Sequence, residues 1–178
     1  TGFLGGSLTK TYFKTLEYAL EKNFFISFDP NFRDALWQEK TSDFIKLSQE
    51  YISKADFIKL SDEEAQLISG KEDLQDAIKS FNLKESVIVC ITLGKNGTLL
   101  YHQNHFEIIN SITVNAIDTT GAGDAFVGAI LKQICDKSPE NFETLEQYVS
   151  FANKVAAIST TEFGALEALP TMEKMKSI

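Results

Sequence analysis

Short apolar runs alternate with segments of helical spacing along most of this chain, and the alternation limits the folds that it can adopt. The runs at 24–28, 56–60 and 87–93 predict short buried strands. Helical spacing predicts helices at about 8–22, 42–53, 61–70, 73–81, 122–136 and 143–160. Strands that alternate with helices form mainly parallel sheets with helices on both faces. The sequence therefore predicts an α/β fold.

The segment from 94 to 109 departs from this alternation. The sequence GKNG at 94–97 predicts a hairpin turn, after which 98–101 returns antiparallel and 106–109 adds an edge strand. No internal repeat, low-complexity tract or linker divides the sequence. We therefore expect residues 1–178 to form a single α/β domain whose mainly parallel sheet has an antiparallel edge.

The composition limits the class of protein. The 178 residues carry a formal net charge of −8, with 43% hydrophobic and 24% charged residues, which is ordinary for a globular protein. The excess of negative charge argues against a broad basic surface for nucleic acid or an anionic membrane. No apolar stretch approaches the roughly 20 residues that cross a bilayer, and two cysteines are too few for a disulfide framework. These features predict a cytoplasmic enzyme or binding protein.

The sequence DTTGAGD at 118–124 carries the strongest chemical signal. It lies between a strand-like approach at 112–117 and an apolar helix. Glycines let a backbone approach a ligand closely, and the first N–H groups of a helix attract anions. Asp124 would repel a phosphate held there, a conflict that is resolved if Asp124 is a general base for an attacking hydroxyl. The alternative is that Asp118 or Asp124 only caps the helix.

Six segments, in order along the chain, resemble those of the ribokinase-like (PfkB) carbohydrate kinases. The 118–124 sequence looks like the C-terminal signature of that family. The other segments are FDPNFR at 28–33 with Leu36-Trp37 behind it, 55–64, 92–97, 151–153 and 164–170. The resemblance implies a ribokinase-like three-layer α/β/α sandwich. It also implies transfer of the ATP γ-phosphate to a primary hydroxyl of a sugar.

The resemblance further implies roles for individual residues. Asp124 would be the catalytic base, and the amides of Gly121, Ala122 and Gly123 would form the anion hole. The nucleotide would meet Thr92, Gly94, Gly97 and Asn153. The sugar would meet Asp29, Asn31 and Arg33. Without the family, the same patterns indicate a plain hairpin turn at 92–97, an exposed helix asparagine at 153 and a simple turn at 29–33.

Two sets of metal residues are implied in the same way. The carboxylate of Asp118, with backbone carbonyls of Thr120, Ser159, Glu162 and Gly164, would form a monovalent-cation site. Ala168 stands where the family often has a hydroxyl, so K⁺ dependence stays open. Glu64, in the sequence SDEE at 61–64, would contact Mg²⁺ through water. Ser-x-x-Glu is equally typical of a helix capping box. ATP and Mg²⁺ are the implied cofactors.

Within the family, the 28–37 segment favours a fructokinase. A 2-keto-3-deoxygluconate kinase is the alternative, because Arg33 would suit its carboxylate substrate. The resemblance implies a homodimer of the full-length protein. The chain begins at Thr1 inside an apolar, glycine-containing run without Met, which predicts the C-terminal part of a longer kinase whose N-terminal substrate and lid part is absent. A nucleotide-binding fragment without catalysis of its own is therefore a further alternative.

Overall fold

The computed structural model describes residues 4–176, in which helices alternate with the strands of one mixed sheet. The helices are α1 (Gly6–Glu21), α2 (Asp34–Trp37), α3 (Thr41–Ile52), α4 (Asp62–Ser69), α5 (Leu74–Ser80), α6 (Ala122–Asp136), α7 (Phe142–Ser159) and α8 (Met172–Lys176). Short 3₁₀ helices lie at Gln38–Lys40 and Gly94–Asn96. Within this described range, no helix combines the length and the apolar character needed to span a membrane.

The sheet joins a parallel part to an antiparallel edge. Its strands are β1 (Ser27–Phe28), β2 (Phe57–Ser61), β3 (Ile88–Thr92), β4 (Thr98–His102) and β5 (His105–Ile109), in that spatial order. Strands β1 and β2 are parallel. The β4–β5 loop is Gln103-Asn104, with φ of 49° and 64°, as in a type I′ hairpin turn. Neighbouring strands joined by such short loops run antiparallel, so the predicted α/β class with its antiparallel edge is confirmed.

Two compact units share these elements. The first comprises residues 4–91 and Tyr101–Phe106, and the second comprises Thr92–Leu100 and residues 107–176. Each unit buries large apolar side chains of its own. Those of the first include Trp37, Phe44, Phe57, Leu60 and Ile78, and those of the second include Leu100, Phe126 and Ile130. The expectation of a single domain over residues 1–178 stays a prediction.

The aromatic run at 24–28 forms less strand than the sequence predicts. Only Ser27 and Phe28 pair with β2, and Phe24 and Phe25 are 56% and 51% exposed. The N–H group of Phe24 instead donates to the carbonyl of Ala19 at 2.9 Å. The chain therefore completes the end of α1 before it enters the sheet.

The predicted strand-like approach at 112–117 is not a strand in the structure. The N–H groups of Ile117 and Asp118 donate to the Thr160 carbonyl, at 2.7 and 3.1 Å. This acceptor directly follows the last residue of α7. An apolar run alone does not distinguish a strand from an extended segment held by the end of a helix. The short helices α2 and α8 were likewise not predicted.

Gly97 stands where the chain leaves the 3₁₀ turn and enters β4. Its φ of 96° and ψ of −137° belong to a region that favours glycine. A Cβ atom here would lie 2.1 Å from the carbonyl oxygen of Ile109 and 2.8 Å from the nitrogen of Ser111. Both are backbone atoms and cannot rotate away, so the turn requires glycine at this position.

We expect Gly97→Ala to lower the free energy of unfolding by about 3 kcal/mol or more, because overpacking adds to the left-handed backbone cost. Gly70→Ala is the matched control. Gly70 also has a positive φ, of 68°, but a Cβ there would meet nothing within 4 Å, so we expect a loss of only about 1–2 kcal/mol. Urea unfolding of both variants measures the difference, and equal losses would contradict the steric argument.

Candidate functional site

The turn at Gly121 begins α6 and leaves N–H groups available at the helix N-terminus. Gly121 has a φ of 80°, and a Cβ there would lie 2.8 Å from the Cβ of Ala165. The N–H of Ala122 donates to the Thr119 carbonyl at 3.2 Å. The N–H groups of Gly121 and Gly123 have no acceptor among residues 4–176. Two of the three predicted anion-hole donors are therefore open to a ligand.

Asp124 is the third residue of α6, and its side chain is exposed. Within the described part of the chain, its carboxylate accepts no hydrogen bond, and Gly121 is the N-cap. The alternative in which Asp124 caps the helix therefore lacks the bond that defines a cap. Its carboxylate remains available to a hydroxyl group.

Asp118 connects the approach to α6 with the loop that follows α7. Its Oδ1 accepts the N–H of Thr120 at 2.9 Å, and its Oδ2 accepts the N–H of Gly164 at 3.2 Å. Hydrogen bonds from Thr120, from its side chain first and then its backbone, and from the Gly164 backbone lower the Asp118 pKa below its ordinary value of 3.8. The carboxylate is thus an ionised structural acceptor that orders this turn.

The structure links three members of the predicted monovalent-cation set, and for the other two it shows side-chain bonds, whereas the prediction concerns their carbonyls. Asp118, Thr120 and Gly164 are linked by the bonds just described. Ser159 donates its hydroxyl to the Ala156 carbonyl at 2.8 Å, and the Glu162 carboxylate pairs with Lys174 at 2.5 Å. Over residues 4–176, no group of three His, Cys, Asp or Glu side chains is placed to hold a metal ion. The carbonyl-based cation site stays a prediction.

The lowered pKa of Asp118 predicts a pH dependence of stability. Because folding favours the ionised form, its contribution is present above pH 3.8 and is lost as the pH falls through the lowered folded-state pKa. We expect Asp118→Asn to be less stable at pH 7 and to have a shallower loss of stability below about pH 5. Urea unfolding from pH 7 to pH 2 measures both. Glu140→Gln, which removes an exposed carboxylate of the same unit, is the control, and an unchanged acid slope in Asp118→Asn would contradict the assignment.

A cleft of about 570 Å³ in the second unit is lined by residues of this turn and of the predicted nucleotide segments. Its volume lies within the range of small-molecule sites, about 300–1,000 Å³. Six predicted site residues line it: Thr92, Gly94, Gly97, Ala122, Gly123 and Asn153. The structure thus brings the predicted nucleotide residues together with part of the predicted anion hole.

Sequence reasoning missed several residues of this cleft. They are Lys95, Asn96, Ser111, Ile112, Thr113, Val114, Ala116, Thr119, Phe126, Ala156, Ala157 and Thr160. Lys95 was recognisable, because a cation inside a glycine-flanked turn suits an anionic ligand. Ala156 and Ala157 of α7 have small side chains that leave room for the cleft.

Asn153 is a buried residue and not the exposed helix asparagine of the alternative interpretation. It is 5% exposed. Its Oδ1 accepts the hydroxyl of Thr98 at 2.6 Å, and its Nδ2 donates to the Ile109 carbonyl at 2.8 Å. The protein itself therefore engages both ends of the amide.

In the first unit, the predicted substrate residues follow β1. Asp29 lies next to Lys59 of β2, with 3.5 Å between its Oδ1 and the lysine Nζ. Asp29 and Asn31 line a cleft of about 480 Å³. Arg33 does not line this cleft, is exposed and donates one Nη1 bond to the Phe32 carbonyl. The carboxyl ends of parallel strands are the usual binding edge of an open α/β sheet, which is where this loop begins.

Lys59 is a candidate residue that sequence reasoning missed in this unit. It is 8% exposed, within a strand whose neighbours Ile58 and Leu60 are fully buried. A lysine is seldom buried unless it is paired, and here its partner is Asp29. A cation in the middle of an otherwise apolar strand was the available signal.

Glu64 closes the predicted capping box and also holds the 29–33 loop. Its Oε2 accepts the Ser61 N–H at 2.8 Å, and its own N–H donates to the Ser61 hydroxyl at 3.1 Å. Its Oε1 accepts the N–H of Phe32 at 2.7 Å. The capping-box interpretation is confirmed. One carboxylate with both oxygens already hydrogen-bonded is a sparse donor set that fits contact with Mg²⁺ through water, and not a direct cage.

We expect Glu64→Gln to destabilise the fold by about 1–3 kcal/mol, because an amide has one acceptor oxygen for the two backbone donors that Glu64 serves. The exposed neighbour Glu63 provides the control, since Glu63→Gln is expected to change the free energy by less than about 0.5 kcal/mol. Urea unfolding compares the two, and similar values for both would show that the double contact contributes little.

The fold and the glycine turn are those of an α/β protein that can bind an anionic ligand at a helix N-terminus, and comparison with known proteins narrows this class. Residues 1–172 match the model of the pfkB family carbohydrate kinases, and the chain belongs to this family. It is 39% identical over 166 residues to probable fructokinase-2 of Arabidopsis thaliana, over 90% of this chain and 49% of that protein. It is 32% identical over 164 residues to a fructokinase of Vibrio alginolyticus, over 92% of this chain and 53% of the relative. The chain thus spans about half the length of the curated relatives that it matches.

Several solved structures with the same fold share more than a quarter of their aligned residues with this chain, among them the following two. A fructokinase from Vibrio cholerae O395, with fructose, ADP and calcium bound, superposes with a TM-score of 0.91 at 30% identity. That match covers 99% of this chain and 57% of the other. An aminoimidazole riboside kinase from Salmonella enterica, with aminoimidazole riboside and an ATP analogue, has a TM-score of 0.87 at 27% identity. This match covers 99% of this chain and 59% of the other. These likenesses confirm the predicted ribokinase-like α/β fold.

Proposed function

We propose that the whole protein transfers the γ-phosphate of ATP to a primary hydroxyl of fructose. Family membership supports the kinase chemistry, and the fructokinase relatives support the choice of sugar. The observation that carries the proposal is the exposed carboxylate of Asp124 in the same turn as the N–H groups of Gly121 and Gly123, none of which has a hydrogen-bond partner among residues 4–176. A base and anion donors side by side suit the transfer of a phosphoryl group to a hydroxyl.

Each group in the second unit has a distinct part in this proposal. Asp124 takes the proton from the attacking hydroxyl. The N–H groups of Gly121 and Gly123, with the N-terminus of α6, stabilise the charge of the transferring phosphoryl group. The cleft lined by Thr92, Gly94 and Gly97 holds the nucleotide.

The first unit supplies contacts to the sugar and to the metal in this proposal. Asp29 and Asn31 accept or donate hydrogen bonds to sugar hydroxyls, and Arg33 adds a charged donor. Glu64 would contact Mg²⁺ through water, and the ion would supply positive charge that neutralises the nucleotide phosphates. A monovalent cation at Asp118, homodimerisation and a cytoplasmic location remain predictions.

A 2-keto-3-deoxygluconate kinase is retained as the second candidate. The Arg33 guanidinium is exposed, and within the described chain it donates a single hydrogen bond. A guanidinium binds a carboxylate with two parallel bonds.

Steady-state kinetics of the whole protein with both acceptors separate the candidates. We expect a higher kcat/KM with fructose. A preference for the keto acid would overturn the choice of sugar, and ATP binding without turnover of either would favour a binding module.

We expect Asp124→Asn to lower kcat with fructose by about 10²–10⁴-fold, because the amide cannot accept the hydroxyl proton. ATP affinity should stay within about twofold of the wild type, because in this proposal Asp124 acts on the attacking hydroxyl and does not hold the nucleotide. The rate of ADP formation gives kcat, and titration calorimetry gives the ATP affinity. Asp136→Asn, at the exposed far end of the same helix, is the control. Near wild-type turnover in Asp124→Asn would show that another group is the base.

A further inference from the structure

A buried circuit of contacts lies behind the nucleotide cleft of the second unit. The Thr98 hydroxyl donates to Asn153 Oδ1 at 2.6 Å, and Asn153 Nδ2 donates to the Ile109 carbonyl at 2.8 Å. That same carbonyl oxygen fills the space where a Cβ of Gly97 would stand. Gly97 precedes Thr98, so the circuit closes on itself. We call these four residues the Thr98 clamp.

The hydrogen-bonding groups of the clamp determine the orientation of the Asn153 side-chain amide. A backbone carbonyl only accepts hydrogen bonds, so the NH₂ group of Asn153 must face Ile109. Its oxygen then faces Thr98, whose hydroxyl must be the donor. Every strong hydrogen-bonding group at the centre of the clamp is thus satisfied, as burial requires.

Thr98 is hidden from the cleft that the clamp supports. Its exposed fraction is 0%, and it is not among the residues that line the cleft, whereas Gly97 and Asn153 are. The chain that follows Ile109 continues into Ser111 and Thr113, which form part of the cleft wall. The position of this wall therefore depends on a hydroxyl that a bound ligand does not touch.

We propose that Thr98 is a positioning residue for nucleotide binding, which acts through the Asn153 amide on the backbone at Ile109. This inference rests on the proposed function, in which the cleft holds ATP. It also changes the role of Asn153 from a direct contact for the nucleotide to the link that sets the width of the cleft. Removal of the Thr98 hydroxyl leaves a buried acceptor unsatisfied, which favours reorientation of the amide and release of Ile109.

The test measures ATP affinity of the whole protein by titration calorimetry. Thr98→Val keeps the shape of the side chain but loses the donor, and we expect about tenfold weaker binding. Thr98→Ser keeps the hydroxyl and should stay within about threefold of the wild type. Thr98→Cys, with its weaker donor, should fall between them and provides a graded result if the valine variant does not fold.

Two further variants separate positioning from general destabilisation. Thr98→Val combined with Asn153→Ala should bind ATP no more weakly than Asn153→Ala alone, because both changes break one circuit. Tyr148→Phe removes a half-buried hydroxyl bond to the Lys137 carbonyl on the same helix α7 and should keep wild-type affinity. In kinetics with fructose, Thr98→Val should raise KM for ATP and leave kcat unchanged.

The outcomes are distinguishable. A wild-type protein that does not bind ATP overturns the proposed function and this inference with it. If the wild-type protein binds ATP, and Thr98→Val and Thr98→Cys bind it with the same affinity, the inference alone is overturned. Additive losses in the double variant, or a loss in Tyr148→Phe equal to that in Thr98→Val, also overturn it.

Discussion

The carboxylate of Asp118 is the contact on which the geometry of the candidate catalytic turn depends. One oxygen accepts a backbone N–H from the turn itself, at Thr120, and the other accepts one from the loop after α7, at Gly164. Charge-assisted bonds of this kind are about twice as strong as neutral ones. The start of α6 is therefore fixed against a distant loop, and its open N–H groups have a defined direction before any ligand arrives.

The first unit uses the same physical device at Glu64. That carboxylate accepts one N–H from its own helix start and a second from Phe32, in the loop with the predicted substrate residues. A charged side chain that is 7% exposed is costly unless it is well hydrogen-bonded. In both units, the requirement to satisfy a carboxylate orders a candidate binding loop.

The sequence predicts those parts of the site that depend on neighbouring residues. The capping box at 61–64 and the glycine turn at Gly121 follow from local spacing, and the structure contains both. The features that local spacing does not predict have partners far along the chain. Thr98 and Asn153 are 55 residues apart, and Asp118 and Gly164 are 46 apart. Periodicity contains no information about such pairs, which is why the pattern without the family indicated an exposed asparagine at 153 and a strand at 112–117.

The acidic side chains of the candidate sites differ in what the fold does with them. Asp29 pairs with Lys59, Glu162 with Lys174, and Asp118 and Glu64 each bind two backbone donors. Asp124 contributes to the described fold at most the favourable interaction of an acid with a helix N-terminus, about 0.3–1 kcal/mol. A charge that the described fold hardly needs, in the first turn of α6 next to open anion donors, supports the proposal that Asp124 serves the chemistry.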